Sequence, residues 1–385
     1  MSRNRVNQAG GPPKPPTAID PRHWGWETWM LAAVPAAIAA SALDLHAVVR
    51  FGAAGLAIVP LAGLMGRSTE SLAHKLGPGI GGLLNATFGN AAELILALLA
   101  MRRGLDNVVK ASLTGSIIGN LLLVLGATLL AGGLLHPIQR FNRTVAGSGS
   151  TLMVLASVGL LIPALFHAVV GPNEPGLEHR LSLSVSVVLI ITYGLSLVFN
   201  LGTHKALFGR AEGQPGAAAE EEAVALWGLR RSSAVLVVAT GFVAWMSEIL
   251  VGAVEAASRS MGVSEVFMGV IVVAIVGNAA EHSTAILMAM KDKMDLAVGI
   301  ALGSALQVAL FVGPVLVIAS YLRPTLGPMN LLFSTFEVVS VILAAILARM
   351  AAEDGESNWL EGAMLLMIYV ILAIAFYLLP VARAG

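Results

Sequence analysis

The chain has 385 residues, of which 57% are hydrophobic and only 12% charged, with a mean hydropathy of +0.82. A soluble domain carries about a quarter charged residues, so this chain has too few to coat a solvated surface, and its class is helical membrane protein. The 23 basic and 23 acidic residues cancel, which removes the basic surface a nucleic-acid partner needs; the absence of cysteine removes disulfides, thiolate metal ligands and a cysteine nucleophile.

Residues 1 to 26 contain Gly10, Gly11, Pro12, Pro13, Lys14, Pro15 and Pro16, read as a flexible tail without the apolar core of a signal peptide. Trp24, Trp26 and Trp29 then read as an interfacial anchor before the first span. Lipid offers no partner for backbone N–H and C=O groups, and continuous apolar runs are not the alternating pattern of a barrel, so the spans are helices. Eleven are expected, at about 27 to 44, 47 to 66, 79 to 101, 107 to 133, 146 to 170, 180 to 201, 232 to 256, 265 to 290, 295 to 321, 328 to 349 and 358 to 380. The longest polar gap, 202 to 231, holds Gly213, Pro215, Gly216 and the acidic run Glu220, Glu221, Glu222. It separates one extra helix (27 to 44) plus a five-helix unit (47 to 201) from a second five-helix unit (232 to 385). With the N-terminus cytoplasmic, about 15 of the 23 basic residues fall inside, among them Arg3, Arg5, Arg140, Arg143, Arg230 and Arg231. The C-terminus is then outside the inner (plasma) membrane, and Arg102, Arg103 and Lys110 fall on the wrong side. The number of copies is open, and a homo-oligomer is compatible with the sequence.

Gly89-Asn90-Ala91-Ala92-Glu93 recurs letter for letter as Gly277-Asn278-Ala279-Ala280-Glu281, and at the same offset of 188 residues Gly115-Ser116 recurs as Gly303-Ser304. This is the mark of duplication. A unit with an odd number of helices enters the membrane the second time with opposite polarity, so the repeats are expected to be inverted. That arrangement belongs to transporters, with a shared site near the midplane.

Glu93 and Glu281 lie in apolar spans, where an unpaired carboxylate costs about 3 kcal/mol, so each needs a neutralising partner. Asn90 and Asn278 stand three residues earlier on the same helix face. The Gly-rich stretch Gly77 to Gly89 permits unwinding, and with the carbonyls of Gly89 and Gly277 the two faces form an all-oxygen cage. A hard divalent cation suits that cage; Ca2+ fits better than Mg2+, which sheds water reluctantly. Without the ion, two close carboxylates discharge by taking up protons, so H+ and Ca2+ compete for one site.

Ser116 and Asn120, and symmetrically Ser304 and Gln307, are expected as a second layer, either as ligands or as bonds between helices. His282 has two readings, a proton relay or a packing residue. Glu70, Glu248 and Glu255 are candidates for an access path, lying toward span ends.

The chain resembles the calcium/proton exchanger branch of the calcium/cation antiporter superfamily. The resemblance rests on Leu83 to Glu93, on Ser247-Glu248-Ile249-Leu250-Val251, on Ile275 to His282, on Met290 to Asp295 and on Gly303 to Phe311, and spans roughly residues 50 to 380. It implies an all-α fold of eleven transmembrane helices, one extra helix plus two inverted five-helix repeats, and Ca2+ leaving the cytosol against inward proton flow. It also implies that Glu93 and Glu281 carry the ion, with the Gly89 and Gly277 carbonyls and the Asn90 and Asn278 side chains nearby. The acidic linker is shorter than the family's, and the tail too brief for an autoinhibitory extension. Related sodium/calcium exchangers share the repeats, but the identical Asn-Ala-Ala-Glu pair and Glu281-His282 favour the proton branch. Coupling to Na+ or K+ and a passive cation channel are the competing functions. An intramembrane metalloprotease needs two His four apart around a Glu, which the sequence lacks, so the chain is expected to be no enzyme and to use no organic cofactor.

Overall fold

The computed structural model describes residues 29–171, 174–204, 227–323 and 326–380. The expected tail, with Trp24 and Trp26, and the acidic run Glu220 to Glu222 lie outside the described residues. The helices are α1 (Ala33–Ala42), α2 (Ala47–Phe88), α3 (Ala91–Arg102), α4 (Asp106–Leu135), α5 (Arg143–Val170), α6 (Pro175–Thr203), α7 (Leu229–Met261), α8 (Glu265–Met290), α9 (Met294–Ser320), α10 (Thr335–Ala352) and α11 (Trp359–Tyr377). Among the described residues, nine are long and apolar enough to cross a membrane; α1 and α3, with 10 and 12 residues, are shorter.

Helix ends follow side-chain chemistry. Asn142 Oδ1 accepts from the backbone N–H of Thr144 and Val145 at the start of α5, and Ser334 with Glu337 forms a reciprocal capping box at the start of α10. That box, preceded by Gly327 at φ 68° and Pro328, explains why residues 328 to 334 are not helical although a span was expected from 328. The spans expected at 47 to 66 and 79 to 101 are divided differently. Helix α2 runs on to Gly77, whose φ of 81° and ψ of 173° kink it, and the chain breaks again at Asn90 (φ −103°, ψ 29°) before α3. Five glycines between 77 and 89 make this segment easy to bend.

The two halves share backbone irregularities. Gly104 (φ 78°), just after α3, and Asp292 (φ 59°), just after α8, take left-handed conformations 188 residues apart. A π-helical turn at Gly119–Val124 in α4 has its counterpart at Val308–Val312 in α9. Helix α2 lies along α7 and α5 along α10, while α4 packs on α11 and α9 on α6, a pattern unchanged when the halves are exchanged.

Helices α4 and α9 form the centre and are mostly buried, whereas α6 is mostly exposed and leaves side chains such as Val188, Ile191 and Leu195 outward for lipid. On one loop face the two-residue strands β1 (Gln139–Arg140) and β2 (Glu356–Ser357) pair antiparallel. There Arg140 bridges Glu356 at 3.0 Å and the Asn142 N–H donates to Asp295 Oδ1 at 2.6 Å. On the opposite face Arg323 forks onto both oxygens of Asp106 at 2.7 and 3.0 Å, and Arg103 pairs with Glu248. Lys110 turns inward to Asn330 Oδ1 (3.0 Å) and the Leu332 carbonyl (2.9 Å). Arg103 and Lys110, misplaced by the positive-inside count, are thus engaged within the protein, the first by a carboxylate and the second by neutral oxygens.

Candidate functional site

Four segments converge between the halves: the start of α3, the middle of α8, and the stretches of α4 and α9 around their π turns. Six of the expected residues form one continuous ribbon of hydrogen bonds. Asn90 Nδ2 donates to Gln307 Oε1; Ser304 Oγ donates to Asn90 Oδ1 at 3.1 Å; Asn120 Nδ2 donates to Ser304 Oγ at 3.0 Å and to Asn278 Oδ1 at 3.2 Å. Asn278 Nδ2 in turn donates to Ser116 Oγ at 3.0 Å and to the Ala274 carbonyl at 2.9 Å. Asn90, Asn120 and Asn278 are each about 1–2% exposed, so these bonds meet the demand that buried amides be satisfied. Each amide oxygen of Asn90 and Asn278 accepts one of these bonds and retains a second lone pair.

The two acids lie beside this ribbon. Glu93 is buried in the first turn of α3, where the helix N-terminus favours negative charge, and Glu281 is partly buried on α8. Both line one cavity. Glu93 Cγ packs against Gly277, 3.3 Å from where a Cβ would stand. Gly277 was expected to offer a loosened carbonyl, but it lies inside the continuous helix Ala274–Met290; what it supplies is room for Glu93. Among the described residues of the two motifs, the helical backbone breaks at Asn90 and not at its counterpart Asn278. Among the buried polar atoms without a hydrogen-bond partner in the described residues are three on the ribbon or at the second glutamate: Asn120 Oδ1, Glu281 Oε2 and His282 Nε2. Oxygens left in that condition beside two carboxylates are what a cation would satisfy.

A cavity of about 920 Å³ leads to the pair. Glu93, Glu281, Gly89, Gly277, Ser304 and Gln307 line its inner end, and Arg67, Glu70, His74 and Asp295 its outer part. Asp295 places the mouth on the loop face that carries Arg140 and Asn142. Of the three acids expected along an access path, only Glu70 lines this cavity. Glu248 is engaged by Arg103 on the opposite face, and Glu255 faces Arg259 one turn along α7 at 3.5 Å.

The sequence profile of the sodium/calcium exchanger proteins matches residues 46–202 and 231–378. The chain belongs to that family. Among its relatives, a Ca(2+)/H(+) antiporter of Synechocystis sp. is 47% identical over 366 residues, covering 91% of this chain and 96% of the relative. The Ca(2+)/H(+) antiporter ChaA of Bacillus subtilis is 47% identical over 351 residues, covering 90% and 97%. The solved structure of native YfkE superposes with a TM-score of 0.79 at 42% identity, over 92% of this chain and all of that one. The motif resemblance to calcium/proton exchangers agrees with these relatives, and the chain is a multi-pass membrane protein of the exchanger family.

Proposed function

We propose that this exchanger exports Ca2+ from the cytoplasm in return for protons, by alternating access to a site centred on Glu93 and Glu281. The observation that carries it is convergence: two identical five-residue motifs, far apart in sequence, bring their glutamates to the inner end of one cavity. Ca2+ is the transported substrate, cancelling both charges; protons discharge the same oxygens when the ion leaves. A pair left empty and ionised is costly within a membrane, so the protein changes facing only when loaded with one or the other. The Asn–Ser–Gln ribbon holds the two halves in register at this level.

The proposal includes eleven transmembrane helices in two inverted units, residues 47–201 and 232–385, after an extra helix at 27–44 and a tail at 1–26, with 202–231 as linker. The matched π turns and the paired left-handed residues Gly104 and Asp292 support duplication. With the N-terminus cytoplasmic in the inner membrane, the cavity opens to the cytoplasm. Ca2+ uptake by inverted vesicles under an imposed pH gradient tests the function: Glu93→Gln and Glu281→Gln should each abolish it. Normal uptake in either variant removes the site; uptake driven by a Na+ gradient and indifferent to a protonophore replaces H+ by Na+ as the coupling ion.

A further inference from the structure

Helices α2 and α7 run alongside each other and occupy equivalent positions in the two halves. On each, a glutamate follows a fully buried hydroxyl residue, Thr69-Glu70 on α2 and Ser247-Glu248 on α7, and both hydroxyl oxygens lack a partner. The two glutamates are in opposite circumstances. Glu248 is bound by Arg103, the residue that caps the C-terminus of α3, and the guanidinium lies on Gly252 of α7, where a Cβ would stand 2.7 Å from Nη1. This contact closes α7 onto α3 on the face away from the cavity. Glu70 lines the open cavity, and no ion pair engages it among the described residues.

The residue that caps the C-terminus of α8, 188 positions after Arg103, is Lys291, also a cation and exposed. It sits between Met288 and Asp295, which line the same cavity as Glu70. Helix α2 touches α8 at Gly55 and Val276, with a Cβ at Gly55 3.3 Å from Val276 Cγ2, and stands apart from it at the cavity mouth. We infer that Arg103–Glu248 and Lys291–Glu70 are reciprocal latches: the first is closed in this structure, and the second forms when the cavity shuts and the first opens. The inference rests on the alternating-access reading above. Both latches are solvent-reachable, so each shifts the balance of facing states by about five-fold or less.

The chain has no cysteine, so Arg103→Cys/Glu248→Cys and Glu70→Cys/Lys291→Cys can be made without background. In membrane vesicles, a short reducible bis-thiol crosslinker should bridge the first pair at rest. It should bridge the second at least about five-fold faster during Ca2+ turnover under a pH gradient. Either bridge should stop uptake until reductant is added. If bridging Arg103→Cys/Glu248→Cys arrests uptake but the second pair never bridges, the reciprocal latch is wrong and alternating access stands. If both pairs bridge and uptake continues, alternating access fails with it. Charge exchange gives an independent check: Glu70→Lys/Lys291→Glu should recover the uptake rate lost in either single variant, and a double variant no better than the singles overturns the pairing.

Discussion

Glu93 and Gly277 are in contact across the two halves, the Glu93 Cγ lying 3.3 Å from where a Cβ on Gly277 would be. The glycine of one repeated motif therefore makes space for the glutamate of the other. A methyl group there forces the Glu93 stem to give by a few tenths of an ångström without disturbing the helix around residue 277. Gly277→Ala should fold normally and raise the KM for Ca2+ by about three- to ten-fold, since displacement of a ligand by a fraction of an ångström weakens a multidentate site. Uptake kinetics beside a thermal-unfolding curve check this; an unchanged KM means that the contact does not position the carboxylate.

The repeated Gly-Ser pair predicts a sharper contrast. A Cβ on Gly115 would stand 2.0 Å from the Val270 carbonyl oxygen, which is backbone and cannot step aside, whereas nothing lies within 4 Å of a Cβ on Gly303. Gly115→Ala should cost about 3 kcal/mol or more by forcing α4 from α8, and Gly303→Ala should stay within about 0.5 kcal/mol of the parent. Thermal unfolding in detergent measures both. Equal stability of the two variants would show that the helices do not pack this closely.

The pair Glu93 and Glu281 was legible in the sequence because a letter-for-letter repeat carries its own evidence and because an acid in an apolar span demands an explanation. That Ser116, Asn120, Ser304 and Gln307 would bond between helices was one of two readings their symmetric placement after each motif left open, and the ribbon shows those bonds. Helix boundaries around Gly77 and Asn90 were not, because hydropathy is blind to a glycine's φ: residues 79 to 101 are apolar enough for one span, yet the backbone breaks at Asn90. Nor could spacing distinguish Glu70 from Glu248. Both lie on equivalent helices, and only the packing shows that Glu248 is paired with Arg103 while Glu70 lines the cavity.

On the proposed exchange, competition between protons and Ca2+ for the two carboxylates sets the sign of the pH dependence. Acidification loads the acids with protons, removes their charge and weakens Ca2+ binding; alkaline pH strengthens it. The apparent Kd should rise by up to about ten-fold for each unit that the pH falls, for each proton that must leave before the ion binds. Ca2+ titrations of the detergent-solubilised protein across pH, with proton release followed by a dye in weak buffer, test both sides of the exchange. Glu281→Gln should reduce the slope by one proton. A Kd indifferent to pH over the working range leaves the coupling without a chemical basis.

Asn278 is the junction of the ribbon, bonded to Asn120, to Ser116 and to the Ala274 carbonyl. Asn278→Ala strands the Asn120 amide hydrogen and the Ser116 oxygen in a buried setting. Hydrogen bonds between membrane helices average about 0.6 kcal/mol, and two lost together with partners unpaired should cost about 1–2 kcal/mol. A second variant, Asn120→Ala, removes the opposite partner; the double variant should be less destabilised than the sum of the singles, because the orphaned groups disappear together. The cycle separates a bonded ribbon from two amides that merely fill space, for which the losses would add. Ca2+ uptake in the same variants reports a different quantity, the register of the halves around Glu93 and Glu281. Uptake should fall further than stability does, because the ribbon ties Asn278, three residues from Glu281, through Asn120 and Ser304 to Asn90, three residues from Glu93.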